Sequence, residues 1–361
     1  MSGSPRILFI SRAFPPIIGG IEHQNYELHR ALAAETGVQL IVNRRGKRFL
    51  PLFYLRALFS GLLAAPRHDV ILLGDAVLAP LGWLLATLCR KPVCCVVHGL
   101  DVTYTNPIYQ AIWIRFALAR MSRLFAVGNE TLRQAVARGA VADRCRFIAN
   151  GVDISQGSRS VPGDDSRIRR RDGEFHLLTL GRLEERKGVA WFLREVFPLL
   201  GGGVHYWVAG DGPFRSEIES AVAGLPVPDR VTVFGRVTEA EKFTLLQEAD
   251  LFVQPNIPVP GDIEGFGLVV LEAAAAGLPV VASRLEGLCD AIADGKNGIL
   301  VTAGDAADFA KCIRGFIADR DEATVFGARA RDYTLAHCSW TRVAQRYLEE
   351  IRALTAVRDA R

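Results

Sequence analysis

The feature that most constrains this chain is an alternation, made twice, of short unbroken apolar runs with longer helix-forming segments. In the first half the apolar runs are Arg6–Ser11, Val38–Asn43, Asp69–Gly74, Pro92–His98 and Leu124–Gly128. None has the polar–apolar alternation of a strand with one wet face, so each predicts a strand covered on both sides. Helix-length segments at Glu22–Ala34, Ala76–Cys89 and Pro107–Ser122 lie between them, and strand–helix repetition of this kind specifies a parallel, doubly wound sheet. The texture then changes. Residues 155–174, SQGSRSVPGDDSRIRRRDGE, offer almost nothing to bury and predict a linker or surface loop. After them the alternation resumes, with strands at Phe175–Leu180, His205–Ala209, Arg230–Phe234, Leu251–Gln254 and Pro279–Ala282. Helices are expected over Val189–Leu200, Pro213–Ala223 and Thr238–Ala249, the last opening on the capping box Thr238-Glu-Ala-Glu241.

A chain of 361 residues exceeds what one hydrophobic core comfortably serves. The expected fold is α/β, with two doubly wound domains facing across a cleft. The first spans residues 1–155, a polar linker 156–174, the second domain 175–338, and a final amphipathic helix 339–361 returns to the first domain. Ligands of open parallel sheets bind beyond the carboxyl ends of the strands, so chemistry is sought there.

Composition narrows the field. With 50% hydrophobic and 23% charged residues the chain is neither disordered nor collagenous. The net charge of +4 is divided unevenly, about +10 over residues 1–150 and −6 over the rest, so the first half is suited to an anionic partner. No basic strip interleaved with aromatics marks nucleic acid. The N-terminal apolar run is too short for a secretory signal, and the longest uncharged apolar stretch, Ala76–Cys89, is too short to span a bilayer. Seven cysteines at 89, 94, 95, 145, 289, 312 and 338 show no metal-ligand spacing, which fits reduced thiols in a cytoplasmic protein.

No GxGxxG and no GxxxxGK[ST] occurs, so dinucleotide and P-loop readings lack their phosphate cradle. Asp319-Arg320-Asp321 reads as a solvated helix end rather than a metal site. Arg182 and Lys187, in Gly181-Arg-Leu-Glu-Glu-Arg-Lys-Gly188, follow a strand and precede a helix, a place that favours anions. Together they suit a diphosphate without a metal. The competing reading pairs them with Glu184 and Glu185 in an ordinary surface loop. The sharpest signal is Glu264-Gly-Phe-Gly-Leu-Val-Val-Leu-Glu272. It sets a carboxylate at a loop–helix junction and a second one eight residues on, about 12 Å if helical throughout, with outward-facing amides between them.

These pieces, with Phe14-Pro-Pro-Ile-Ile-Gly19-Gly20-Ile-Glu22, His98-Gly-Leu-Asp101, Asn150-Gly-Val-Asp153, Gly210-Asp-Gly212-Pro213 and Phe234-Gly-Arg-Val237, occur in one order along nearly the whole chain. The ordered set resembles the retaining glycosyltransferases of family 4, of GT-B architecture. The resemblance implies transfer of a sugar from a UDP- or GDP-sugar to a lipid-linked or polysaccharide acceptor of the cell envelope. It makes Arg182 and Lys187 holders of the donor's distal phosphate, and Glu264 a binder of the sugar hydroxyls near the amides of Phe266, Gly267 and Leu268. It gives Glu272 the ribose, the backbone of Gly235 to Val237 the base, Gly20 the diphosphate, and His98 a place near the reacting centre. Gly19, Glu22 and Asp101 are acceptor-side candidates, and neither a cofactor nor a divalent metal is implied.

Arg44, Arg45, Lys47 and Arg48, beside the apolar Phe49–Leu55, can lie on an anionic membrane surface, which would make the enzyme peripheral at the inner face of the cytoplasmic membrane. A basic loop followed by a buried helix fits the stretch equally. A soluble transferase acting on a small metabolite or sugar phosphate is the alternative function. An epimerase or phosphorylase, or a non-catalytic nucleotide-sugar binder, fits the motifs less well.

Overall fold

The computed structural model describes residues 4–17, 19–152, 167–262 and 264–359. The chain divides into two compact units, Met1–Gly151 with Trp340–Arg361, and Val152–Ser339. Each is built on a six-stranded parallel sheet, the doubly wound architecture that the apolar runs specify.

In the first unit the strands are β1 (Ile7–Ser11), β2 (Val38–Val42), β3 (Val70–Leu73), β4 (Val93–Val97), β5 (Arg123–Ala126) and β6 (Cys145–Phe147), in the order β2-β1-β3-β4-β5-β6. Successive side chains of a strand point to opposite faces, and both faces of β1, β3 and β4 are covered, whereas β2, expected to be covered on both sides, is an edge strand that leaves Gln39 exposed. Leu8, Ile10, Ile71, Leu73, Cys95 and Val97 meet the helices Leu50–Ala64 and Ala79–Cys89. Ile7, Phe9, Val70, Leu72, Cys94 and Val96 meet Gly20–Glu35 and the C-terminal helix Trp340–Asp359. That helix lays Tyr347 against Phe125, ring centroids 4.5 Å apart. Its Glu350 receives Arg123 at 3.3 Å and Arg146 at 3.1 Å, so both arginines of neighbouring strands fix its position.

The second unit contains β7 (Phe175–Leu180), β8 (Val204–Ala209), β9 (Val231–Gly235), β10 (Leu251–Gln254), β11 (Val280–Ser283) and β12 (Ile299–Val301). Their order is β12-β11-β10-β7-β8-β9, so the winding reverses between β7 and β10, where such sheets bind ligands. Strands β6 and β12, absent from the sequence expectation, are three-residue edge strands. The segment expected as one helix over Val189–Leu200 is wound in three ways, ending in a tight 3-10 turn at Phe197–Leu200, where Pro198 has no N–H to donate. The Thr238–Glu241 capping box is present. Asp319 accepts from the Glu322 amide at 2.9 Å and so caps the helix Arg320–His337.

Residues 153–166, with Asp153 and most of the stretch read as a linker, lie outside the described residues, as does the Lys47 side chain. From Arg170 onward the chain is held to the second unit, the guanidinium meeting both Asp250 oxygens at 3.0 Å. Among the described residues no helix is long and apolar enough to cross a membrane.

Candidate active site

The loops that leave β7, β8 and β9 are locked backbone to backbone. Leu183 donates to the Asp211 carbonyl at 3.0 Å, Phe214 to Leu183 at 3.0 Å and Gly210 to Gly235 at 2.8 Å. Such approach requires glycine. A Cβ at Gly210 would stand 1.8 Å from the Gly181 carbonyl oxygen, and one at Gly188 would stand 1.9 Å from that of Pro255. The second contact ties the β7 loop to the β10 loop across the winding reversal, aided by Ile257 N–H donating to Arg186 at 2.9 Å.

At this junction the structure brings Lys187 and Glu264 together. Lys187 Nζ lies 2.5 Å from Glu264 Oε2, both side chains about nine-tenths buried. Asn256 Nδ2 donates to the same oxygen at 3.0 Å, and Arg186 Nε stands 3.7 Å away. Burial alone would push the Glu264 carboxyl up, but the Lys187 and Arg186 cations, with hydrogen bonds from Lys187 and Asn256, hold it below its ordinary value. These contacts fall on Oε2, and among the described residues no hydrogen bond falls on Oε1. Oε1 is therefore the atom open to a ligand hydroxyl. Arg182 stays mostly in solvent, 73% exposed, with Nε 2.9 Å from Glu184. The competing surface-loop pairing thus holds for Arg182, whereas Lys187 pairs with Glu264 rather than Glu185.

The segment after Glu264 is pinned from the β11 side. Glu286 accepts the Glu264 amide at 2.5 Å, and a Cβ at Gly287 would stand 2.6 Å from the Gly265 carbonyl carbon. Phe266 is buried, and Gly267, at φ 74°, is the N-cap of the helix Leu268–Ala276. The amides at that helix start have no intrahelical acceptor and carry the positive end of the dipole. The expected 12 Å helical rise from Glu264 to Glu272 needs correction, because only the residues from Leu268 onward are helical. Glu272 lies in the second turn and receives Lys242 Nζ at 3.1 Å, which also meets Glu239 at 2.9 Å. Gly235, at φ 71°, ends β9 with Arg215 packed over it, and Val237 follows half-buried.

The remaining candidates belong to the first unit and lie beyond the carboxyl ends of its strands, Gly19, Gly20 and Glu22 after β1 and His98 and Asp101 after β4, where the last two bond back to the loop that follows β3. His98 Nε2 donates to the Gly74 carbonyl at 2.9 Å, leaving Nδ1 as the ring atom for a ligand. Both oxygens of Asp101 are taken by backbone: Oδ1 by His98 and Gly99 N–H at 2.9 Å, Oδ2 by Ala76 at 3.0 Å. Asp101 thus shapes the loop that carries His98. Gly19 caps the helix Gly20–Glu35, whose first-turn Glu22 folds back over it, and Gly20 faces open space.

Sequence reasoning passed over Arg186, Asn256, Lys242 and Glu286 in the second unit. In the first it passed over the buried pair of Arg12 Nε and Asp75 Oδ2 at 2.9 Å. The Arg186-Lys187 doublet was the one available signal. The others come from distant stretches that only the fold brings in.

Comparison with known proteins agrees with this geometry. The model described as "Glycosyl transferase 4-like domain" matches residues 19–151, and "Glycosyl transferases group 1" matches residues 174–319. The D-inositol 3-phosphate glycosyltransferase of Nocardia farcinica is 29% identical over 296 residues, 75% of this chain and 63% of that protein. The chain therefore spans less than two thirds of that relative. A GDP-mannose-dependent alpha-(1-6)-phosphatidylinositol monomannoside mannosyltransferase of Mycobacterium tuberculosis is 27% identical over 303 residues, 81% of this chain and 78% of that one. Among solved structures, Anabaena HepE in complex with UDP and glucose superposes with a TM-score of 0.73 at 20% identity, over 97% of this chain and 100% of that chain. The chain belongs to the group 1 glycosyl transferases, with a glycosyl transferase 4-like first domain and the paired Rossmann-like sheets of the GT-B fold.

Proposed function

We propose that the protein transfers a sugar from a nucleoside-diphosphate sugar to a lipid-linked or polysaccharide acceptor of the cell envelope, with retained anomeric configuration and without a divalent metal. The observation that carries this reading is the buried Lys187–Glu264 pair at the winding reversal of the second sheet. A cation and a carboxylate fixed side by side suit a phosphate and the sugar hydroxyls next to it. In this account Arg182 swings from Glu184 onto the distal phosphate, Lys187 shares its charge between that phosphate and Glu264, and the amides from Phe266 to Leu268 face the diphosphate.

The sugar's bond to the phosphate oxygen breaks as the acceptor hydroxyl bonds the same carbon from the same face. The hydroxyl proton passes to a departing phosphate oxygen. The protein's part is to orient the reactants and stabilise the charge growing on the diphosphate. Glu272 takes the ribose, with Lys242 holding its carboxylate in place.

The two relatives support a phosphate-bearing acceptor. One is named for an inositol phosphate and the other for a phosphatidylinositol mannoside, so transfer to a small soluble phosphate is the second reading. The test is nucleoside diphosphate release from UDP- and GDP-sugars, with lipid-linked or soluble inositol phosphates as acceptors. Release with one donor that rises when a lipid-linked acceptor is added, giving a product with the donor's anomeric configuration, is expected. Stimulation only by the soluble acceptor favours the second reading, and an inverted product contradicts the mechanism.

A further inference from the structure

A surface helix normally buries an apolar face and turns a polar one to water. The helix Leu50–Ala64 does not. Phe53, Ala57, Gly61 and Ala64 face the sheet, while Leu52, Leu55, Phe59 and Leu63 lie on the outer face at 59%, 58%, 66% and 74% exposure. Steps of three, four and four residues make those four one continuous stripe. A neighbouring pair of helices in the same layer repeats the pattern. Ala79–Cys89 packs beside Leu50–Ala64, and Trp83 on it meets Phe116 edge-on at 4.9 Å. Phe116 and Ile112 are themselves exposed at 38% and 46%. All of these helices cover one face of the first sheet, so their outer sides look away from it together.

The charges around this apolar layer have one sign. Arg44, Arg45, Arg48, Arg56, Arg115 and Arg120 are exposed. Of the three carboxylates between residues 44 and 122, Asp75 and Asp101 are buried and only Asp69 reaches solvent. Arg48 lies over the Phe49 ring at 5.2 Å and Arg120 over Phe116 at 4.2 Å. A cation on an apolar ring can keep its charge in a headgroup layer while the ring enters the acyl boundary. We propose that the outer face of Leu50–Ala64, with the adjoining Ile112 and Phe116, docks on an anionic lipid bilayer. The basic loop anticipated from sequence is then the electrostatic rim of the surface, and the helix supplies its apolar centre. A protein partner would have to bring acidic residues around an apolar groove of matching length. An anionic bilayer meets both demands at once.

This inference goes beyond the transfer reaction and is read without donor or acceptor, so its failure is separate from failure of that reading. The full chain is sedimented with vesicles of phosphatidylcholine alone, or of phosphatidylcholine and phosphatidylglycerol in about equal parts. It should pellet with the anionic vesicles and far less with the neutral ones. Leu55→Ser/Phe59→Ser should weaken that partition at least about tenfold, with thermal midpoint and nucleoside diphosphate release unchanged. Equal partition of the double variant, or equal binding to both vesicles, overturns the proposal. So does absence of vesicle binding together with a solution dimer that the double variant dissolves, which would assign the face to a second copy of the chain.

Discussion

Lys187→Ala is expected to lower nucleoside diphosphate release about a thousandfold, since loss of one fixed donor to developing transition-state charge removes that order of rate. The same change leaves Glu264 almost fully buried without its nearest counter-charge. Breaking a buried pair in this way costs about 3–5 kcal/mol, reduced here because Asn256 and Arg186 still address the carboxylate. The pH dependence gives the loss a signature. In the wild type the Glu264 carboxyl is held low, so the pair stabilises the fold above the ordinary glutamate range and the benefit fades as pH falls through the lowered value. In Lys187→Ala burial acts with less opposition and raises that pKa, so the variant loses least in acid. Thermal midpoints of the two proteins should therefore converge from pH 7 downward. Adding Glu264→Gln to Lys187→Ala should restore midpoint and leave turnover low. A lone Lys187→Ala variant with near-wild-type release would remove Lys187 from the chemistry.

Gly210→Ala should be as damaging, by another route. The added Cβ would stand 1.8 Å from the Gly181 carbonyl oxygen at a residue with φ 141°, so two backbones must part. The Gly181 to Ala209 bond at 3.0 Å and the Gly210 to Gly235 bond at 2.8 Å go with them. Two lost backbone bonds and a strained residue amount to about 3 kcal/mol or more. The loop bearing Arg182 is then no longer held. Chemical denaturation should show that loss, and donor KM should rise with it. Gly203→Ala is the control. Its φ of 73° is also left-handed, but a Cβ there meets nothing within 4 Å, so it should cost about 1–2 kcal/mol and leave KM alone.

The sheets were legible in the sequence because strands buried on both faces cannot carry polar alternation, and the runs beginning at Arg6 and Phe175 carry none. Strands β6 and β12 were not, because Arg146 interrupts the first and the apolar Ile299–Val301 of the second is only three residues long, too short to stand out from a loop. At the candidate site, Lys187 and Glu264 stood out as residue types at loop–helix junctions. Their direct contact, spanning 77 positions of chain, is a consequence of β7 and β10 being neighbours. Lys242 reaches Glu272 across 30 positions, and Glu286 reaches the Glu264 amide across 22. Pattern within one segment carries no trace of such partners. Asp101 is an acceptor-side candidate through the family resemblance alone, and the backbone bonds by which it shapes the loop carrying His98 could not be read from its segment.

The most direct test of the central claim is a calorimetric titration of the free nucleoside diphosphate into the protein with a metal chelator present. Arg182→Ala is the variant of choice, because its side chain is solvent-exposed and meets only Glu184 among the described ion pairs, so the fold is untouched. Binding to the wild type in chelator, weakened at least about tenfold in Arg182→Ala, is the predicted result. Binding that appears only when a divalent cation is supplied, with equal affinity in both proteins, would contradict it.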